Sequence, residues 1–277
     1  MLLSVLQAHA EVLNVEANLR TIDEAAGRAS QAGADILLTP ELFPVGYAPQ
    51  RLAAELDPAV LPGVRQRLAG IARRHGIGLV YSLPATPEEL GDTSDGSSDG
   101  NGWQITATLL DADGVPVLHY GKVHLFGAEE RAAFVPAQDP PGVVEFNGVR
   151  TSLLICYDVE FPEAVRAAAT RGAELLLVPT ALSAGFESVP QVIIRSRALE
   201  SQLVVAYANH SGREDVYDFE GGSVVAGPDG SLLAAAGHAP TLLFAEIAPD
   251  AVRAARDDVP YLRERRPEVY RTWENSA

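Results

Sequence analysis

Three polar side chains in this sequence follow apolar runs of the kind that form buried strands. Glu41 follows Leu37-Leu38-Thr39-Pro40, Lys122 follows Val117-Leu118-His119-Tyr120-Gly121, and Cys156 follows Leu153-Leu154-Ile155. Strand ends are where functional side chains collect in α/β folds. Taken singly, each has a structural reading: an inert core thiol, a turn-capping carboxylate, a solvated cation. Taken together they describe acyl transfer. The carboxylate can take the thiol proton and so make the nucleophile. The ammonium can depress the thiol pKa and stabilise charge developing on a carbonyl oxygen. A Cys–His pair is the rival arrangement. His9, His75, His119, His124, His210 and His238 are available, with His124 best placed, two residues beyond Lys122.

Composition singles out the lysine independently. The 21 basic residues are all arginine except Lys122. An ammonium is a compact point charge whereas a guanidinium is a planar fork, so a lysine surviving in an arginine-only background marks a place where the fork does not serve.

These residues need elements to hold them. Short apolar runs at 2–8, 34–39, 77–83, 150–157, 174–178 and 203–208 read as buried strands. Further strands are expected at 104–110, 115–120, 143–146, 222–226, 231–235 and 242–247, with Asp113-Gly114 turning a hairpin. Helical spacing or start signals mark 14–32, 58–75, 162–171 and 189–201, the first ending at Gly33 and the third opening on Pro162. Residues 91–102 hold no apolar side chain and read as a surface loop. From Asp250 onward the chain is polar and reads as a tail lying on a partner or on the surface.

A weak internal repeat organises the list. Ala32-Gly33-Ala34-Asp35-Ile36-Leu37-Leu38-Thr39-Pro40-Glu41 parallels Arg171-Gly172-Ala173-Glu174-Leu175-Leu176-Leu177-Val178-Pro179-Thr180. Each copy follows a helix that follows a buried strand. The repeat predicts two pseudo-symmetric halves, with two sheets face to face and helices outside.

The remaining composition excludes several classes. With 37 acidic residues the formal net charge is −16, which repels phosphate backbones, so nucleic acid is not the expected partner. No apolar run approaches the roughly 20 residues that cross a bilayer, and residues 1–7 lack a basic signal-peptide start. One cysteine allows no intramolecular disulfide and no cysteine metal cluster. The expected setting is the cytoplasm, with a reduced thiol.

The three motifs taken in order resemble the nitrilase superfamily of carbon–nitrogen hydrolases. They are Thr39-Pro40-Glu41-Leu42-Phe43, Gly121-Lys122-Val123-His124-Leu125-Phe126-Gly127, and Leu154-Ile155-Cys156-Tyr157-Asp158-Val159-Glu160-Phe161-Pro162-Glu163. The resemblance runs from Leu2 to about Val259 and implies one α/β domain over 1–277, a four-layer α-β-β-α sandwich. It implies a Glu–Lys–Cys centre at Glu41, Lys122 and Cys156, with no metal and no organic cofactor. A second glutamate follows the lysine in many members; of Glu129 and Glu130, Glu130 has the matching distance to Phe134-Val135-Pro136. The glycine frequent after that Phe-x-Pro is Ala137 here. Tyr157 after the cysteine looks like the amidase branches, whereas nitrile-cleaving members read Cys-Trp-Glu. The expected reaction is hydrolysis of a small carboxamide to acid and ammonia, the alternatives being N-carbamoyl amide hydrolysis, a nitrilase or a non-catalytic binder. The backbone N–H of Tyr157 is the expected second oxyanion donor, and Tyr47, Phe126, Tyr157 and Ala181 are expected pocket walls. The resemblance also implies at least a homodimer, built across a helix face and the tail at about 250–277.

Overall fold

The structure is a computed structural model, and it describes residues 1–86 and 102–275. The surface loop expected at 91–102 therefore lies outside the described residues except for Gly102. The first half runs β1 (Leu2–Gln7), α1 (Val15–Gln31), β2 (Ile36–Leu38), α2 (Pro49–Glu55), α3 (Leu61–His75), β3 (Gly78–Ala85), β4 (Gln104–Leu110), β5 (Pro116–Gly121) and α4 (Gly127–Ala133). The second runs β6 (Val143–Phe146), β7 (Val149–Leu153), α5 (Pro162–Thr170), β8 (Leu175–Pro179), α6 (Ile194–Ser201) and β9 (Val204–Ala208). A hairpin, β10 (Ser211–Glu214) and β11 (Tyr217–Glu220), precedes β12 (Val224–Ala226), β13 (Leu232–Ala235) and β14 (Thr241–Glu246). The tail forms α7 (Pro249–Asp258), α8 (Tyr261–Glu264) and α9 (Pro267–Glu274).

The two large sheets have the same construction. One is ordered β14-β1-β2-β3-β4-β5 and the other, read from its opposite edge, β6-β7-β8-β9-β12-β13. In each, an antiparallel edge strand is followed by three mutually parallel strands and then two antiparallel ones. The central parallel strands β2 and β8 are apolar throughout because both faces are covered; Ile36, Leu37, Leu38, Leu175, Leu176 and Leu177 are all fully buried. The sheets meet face to face through β2 and β3 on β8, β1 on β9, and β5 on β7. Helices α1 and α3 cover one outer face and α5 and α6 the other, which completes the four layers.

Local chemistry accounts for the ends of these elements. The Asn14 side chain accepts from Ala17 N and caps α1. Gly33 after α1 and Gly172 after α5 occupy equivalent left-handed positions, at φ 80° and 95°. The repeat seen in the sequence is therefore the fold's pseudo-symmetry. It has a direct consequence at the centre of the molecule: Glu41 and Thr180, equivalent residues of the two copies, touch through Glu41 N–H donating to Thr180 O at 3.2 Å.

Several expectations are corrected. The strand read over 150–157 stops at Leu153, and Cys156–Glu160 is a single 3₁₀ turn. Continuous apolarity cannot separate a strand from the buried loop that leaves it. Helices α2 and α4 and the β10–β11 hairpin were absent from the sequence reading, since each is short and mixes buried with polar positions. The tail is helical, and α7 packs on its own chain: Val252 is buried and Arg256 donates to Gln202 O and Ala173 O. Among the described residues no helix is long and apolar enough to cross a membrane.

Candidate active site

The site is built on three loops at one end of the two sheets. Glu41 stands three residues past β2, Cys156 the same distance past β7, and Lys122 directly after β5. All three are buried, as is Glu130 on α4. The Lys122 Nζ donates to Glu41 Oε1 at 2.8 Å and to Glu130 Oε1 at 2.7 Å. Both Glu130 oxygens are engaged: Oε1 also accepts from the Tyr47 hydroxyl at 2.6 Å, and Oε2 accepts from Phe126 N–H at 2.7 Å. Glu41 is different, because its Oε2 is buried and takes no hydrogen bond of ordinary geometry. The Cys156 thiol is among the groups that act on the Glu41 carboxyl, tending to hold it down.

Electrostatics follow from this packing. Burial pushes the Glu41 carboxyl up, Lys122 pulls it down, Glu130 pushes it up again, and the outcome is about 7. Burial also pushes the Cys156 thiol up, with the Glu41 carboxylate adding to it and Lys122 opposing. At rest the sulfur is therefore a thiol. Burial alone would lower the Lys122 pKa, but the two carboxylates hold it above its ordinary value, so the ammonium stays charged. An ammonium has three N–H donors; with Glu41 and Glu130 taking two, one remains for a substrate oxygen.

Backbone strain accompanies the geometry. Leu42 and Cys156 have φ of 53° and 46°, a left-handed conformation that costs about 1–2 kcal/mol for a residue with a Cβ. At Cys156 it turns the chain abruptly out of the strand direction. Asp158, two residues on and fully buried, ties this turn to the Lys122 loop. It accepts from His124 N–H at 2.8 Å, from the Tyr120 hydroxyl at 3.0 Å and from Val123 N–H at 3.4 Å.

The structure thus brings Glu41, Lys122, Cys156 and Glu130 together. Glu129, the other glutamate considered, instead accepts from the Tyr217 hydroxyl. Cys156 is 7 % exposed, almost closed off from solvent. Tyr47 is a buried phenol whose hydroxyl donates to Glu130, and burial raises its pKa well above the ordinary tyrosine value. Phe126 serves twice, its N–H on Glu130 and its half-exposed ring edge-on to Tyr157 and to Phe186. The Tyr157 ring also meets Phe161 edge-on, and Ala181 is buried beside Thr180. His124 does not pair with the thiol; its Nδ1 is bound to Asp158 at 2.7 Å and its ring stacks on Phe161. Sequence reasoning missed Asp158, Thr180 and Glu214, and offered His210 only as one possible partner of the cysteine. Asp158 lay inside a quoted motif, and Thr180 at the repeat position of Glu41, so those signals were present. For His210 and Glu214 nothing local marks the role.

The chain matches known proteins along most of its length. The family model of the carbon-nitrogen hydrolases matches residues 2–257. An amidase from Nesterenkonia sp. AN1 is 45% identical over 99% of this chain and 96% of its own, with a TM-score of 0.88. That amidase is seen, as a mutant, with the acetamide moiety of fluoroacetamide added covalently at the active-site cysteine. A protein of Pseudomonas protegens called "Hydrolase in pqqF 5'region" is 36% identical over 98% of this chain and 90% of that protein. A 2-oxoglutaramate amidase of Bacillus subtilis is 29% identical over 86% of this chain and 87% of that enzyme. The chain belongs to the carbon–nitrogen hydrolase family, within which its solved neighbours are nitrilase-superfamily amidases, and it is an enzyme acting on non-peptide C–N bonds.

Proposed function

We propose that the chain hydrolyses a small, uncharged carboxamide to the carboxylic acid and ammonia through a thioester on Cys156. The observation that carries this reading is the asymmetry of the two glutamates. Both oxygens of Glu130 already accept hydrogen bonds, which suits a positioning role; Glu41, whose carboxyl interacts with the Cys156 thiol, keeps a buried Oε2 with no hydrogen bond and can act as a base. Tyr157, the residue after Cys156, packs edge-on with Phe126, and Phe126 with Phe186; such an aromatic cluster favours a neutral acyl group.

The steps follow from these roles. Cys156 Sγ attacks the amide carbon while its proton passes to Glu41. The carbonyl oxygen becomes an oxyanion and takes the third Lys122 N–H, with the Tyr157 backbone N–H as the second donor. Glu41 returns the proton to nitrogen, the C–N bond breaks, and ammonia leaves. Water then gives a proton to Glu41 as its oxygen attacks the thioester, and the leaving sulfur regains that proton as the acid is released. Moving a proton onto Glu41 removes one of two facing negative charges, which is why a base raised to about 7 suits this site.

The test is rapid quenching during turnover of a short aliphatic amide, followed by mass spectrometry of the peptide containing Cys156. The expected result is an acyl mass on that peptide and equal amounts of ammonia and acid. Turnover without any adduct refutes the thioester. Carbon dioxide released with ammonia from an N-carbamoyl substrate, at a higher kcat/KM, would move the assignment to the carbamoyl branch.

A further inference from the structure

One fully buried titratable pair takes no part in the steps above. His210, just before β10, and Glu214, at its end, are both buried, with His210 Nδ1 2.6 Å from Glu214 Oε1. The other ring nitrogen, Nε2, lies 2.7 Å from the main-chain oxygen of Glu41. A carbonyl oxygen only accepts, so Nε2 carries a hydrogen. Glu214 already accepts from Ala10 N–H at 2.8 Å on Oε1 and from Tyr47 N–H at 3.2 Å on Oε2. That makes Glu214 a carboxylate acceptor, and the protonation assigned from these partners is an imidazolium donating from both nitrogens.

We infer that His210 is a positioning residue: gripped by Glu214, it fixes the Glu41–Leu42 peptide and so holds the Glu41 carboxylate between Lys122 and Cys156. This deepens the reading of Glu41 as the base and rests on it. The gripped peptide is the one that needs a clamp, because Leu42, its second residue, sits at φ 53°. The same peptide unit's neighbour, Glu41 N–H, is held from the other sheet by Thr180 O. Phe43 and Phe219 pack against the imidazole at centroid distances of 5.5 and 5.0 Å and keep it from turning. Glu214 reaches the other arm as well. It binds the main chain of Tyr47, whose hydroxyl holds Glu130. One carboxylate thus anchors both glutamates that flank Lys122.

The pair also places charge. Burial lowers the His210 pKa, but Glu214 and then Glu41 raise it, with a net rise. That attraction is mutual, so the imidazolium favours the ionised form of Glu41. The groups facing His210 are Glu214 and Glu41; those facing Glu41 are Lys122, Glu130 and Cys156.

Three variants test this, measured against Cys156→Ala. His210→Met removes the clamp. His210→Gln offers an amide N–H to the same carbonyl. Glu214→Gln removes the charge that keeps the ring doubly protonated while leaving Nε2–H on Glu41 O. His210→Met is expected to lower kcat about 10-fold or more with KM changed by less than about 2-fold, since even small misplacement of a reacting group is costly. His210→Gln is expected to recover most of that loss. Glu214→Gln is expected to lower kcat less but to move the acid limb of kcat/KM to higher pH. A folded His210→Met with wild-type kcat per titratable thiol overturns the inference, even if its melting temperature has dropped. Should His210→Met fail to fold, an unmoved acid limb in Glu214→Gln overturns it instead. Turnover surviving in Cys156→Ala would sink the underlying reading; a dead Cys156→Ala beside unaffected His210 and Glu214 variants would sink the inference alone.

Discussion

Replacing Lys122 by arginine keeps the charge and changes the shape, and the structure lets the effect be worked out. Lys122 is wholly buried, with Nζ 2.8 Å from Glu41 and 2.7 Å from Glu130. A guanidinium is broader and presents its donors in a fixed fork, so it cannot take both carboxylates and still aim an N–H at the substrate oxygen. Displacing the reacting groups by about 1 Å costs on the order of 10²-fold, or about 2.7 kcal/mol of barrier. Loss of the oxyanion donor raises this toward 10³-fold. Stability responds differently. Overpacking a closed site costs about 1–3 kcal/mol, whereas Lys122→Ala leaves two buried carboxylates facing each other and costs about 3–5 kcal/mol. The arginine variant should therefore melt above the alanine variant yet be nearly as inactive. The assay is ammonia release per titrated thiol, at a temperature well below both melting points. An arginine variant that keeps more than about a tenth of the wild-type kcat/KM would refute this reasoning and make Lys122 a generic charge.

Other outcomes follow from the same geometry. Cys156→Ala should abolish turnover and lower stability by about 1 kcal/mol, read by ammonia release and thermal melting, because only one sulfur is removed. The kcat/KM of the wild type should rise with pH through about 7 as Glu41 ionises, and an acid limb below about pH 5 would show that another group is the base. Tyr47→Phe removes the hydroxyl that holds Glu130 at 2.6 Å; kcat/KM should fall about 10-fold and stability by about 1–2 kcal/mol, and unchanged kinetics would show that Glu130 needs no such support.

The sequence by itself determined the central strands β2 and β8, because both of their faces are covered and leave a continuous run of Leu, Ile and Val. It determined the two-fold construction, because the Gly-apolar-Pro phrase at 33–40 and 172–179 carries backbone and burial demands that survive in each half. It also marked Glu41, Lys122 and Cys156, since unlike side chains at strand ends stand out against such runs. Motif spacing pointed to Glu130 over its neighbour Glu129, but only the tertiary structure supplied the physical reason, since α4 turns one inward onto Lys122 and the other toward Tyr217. It alone showed that both Glu130 oxygens are engaged while Glu41 Oε2 takes no hydrogen bond, since the Tyr47 contact joins segments 83 residues apart. The same holds for His210 and Glu41, 169 residues apart in the chain. A side chain's type is local information; what its second hydrogen bond reaches is set by how the sheets pack.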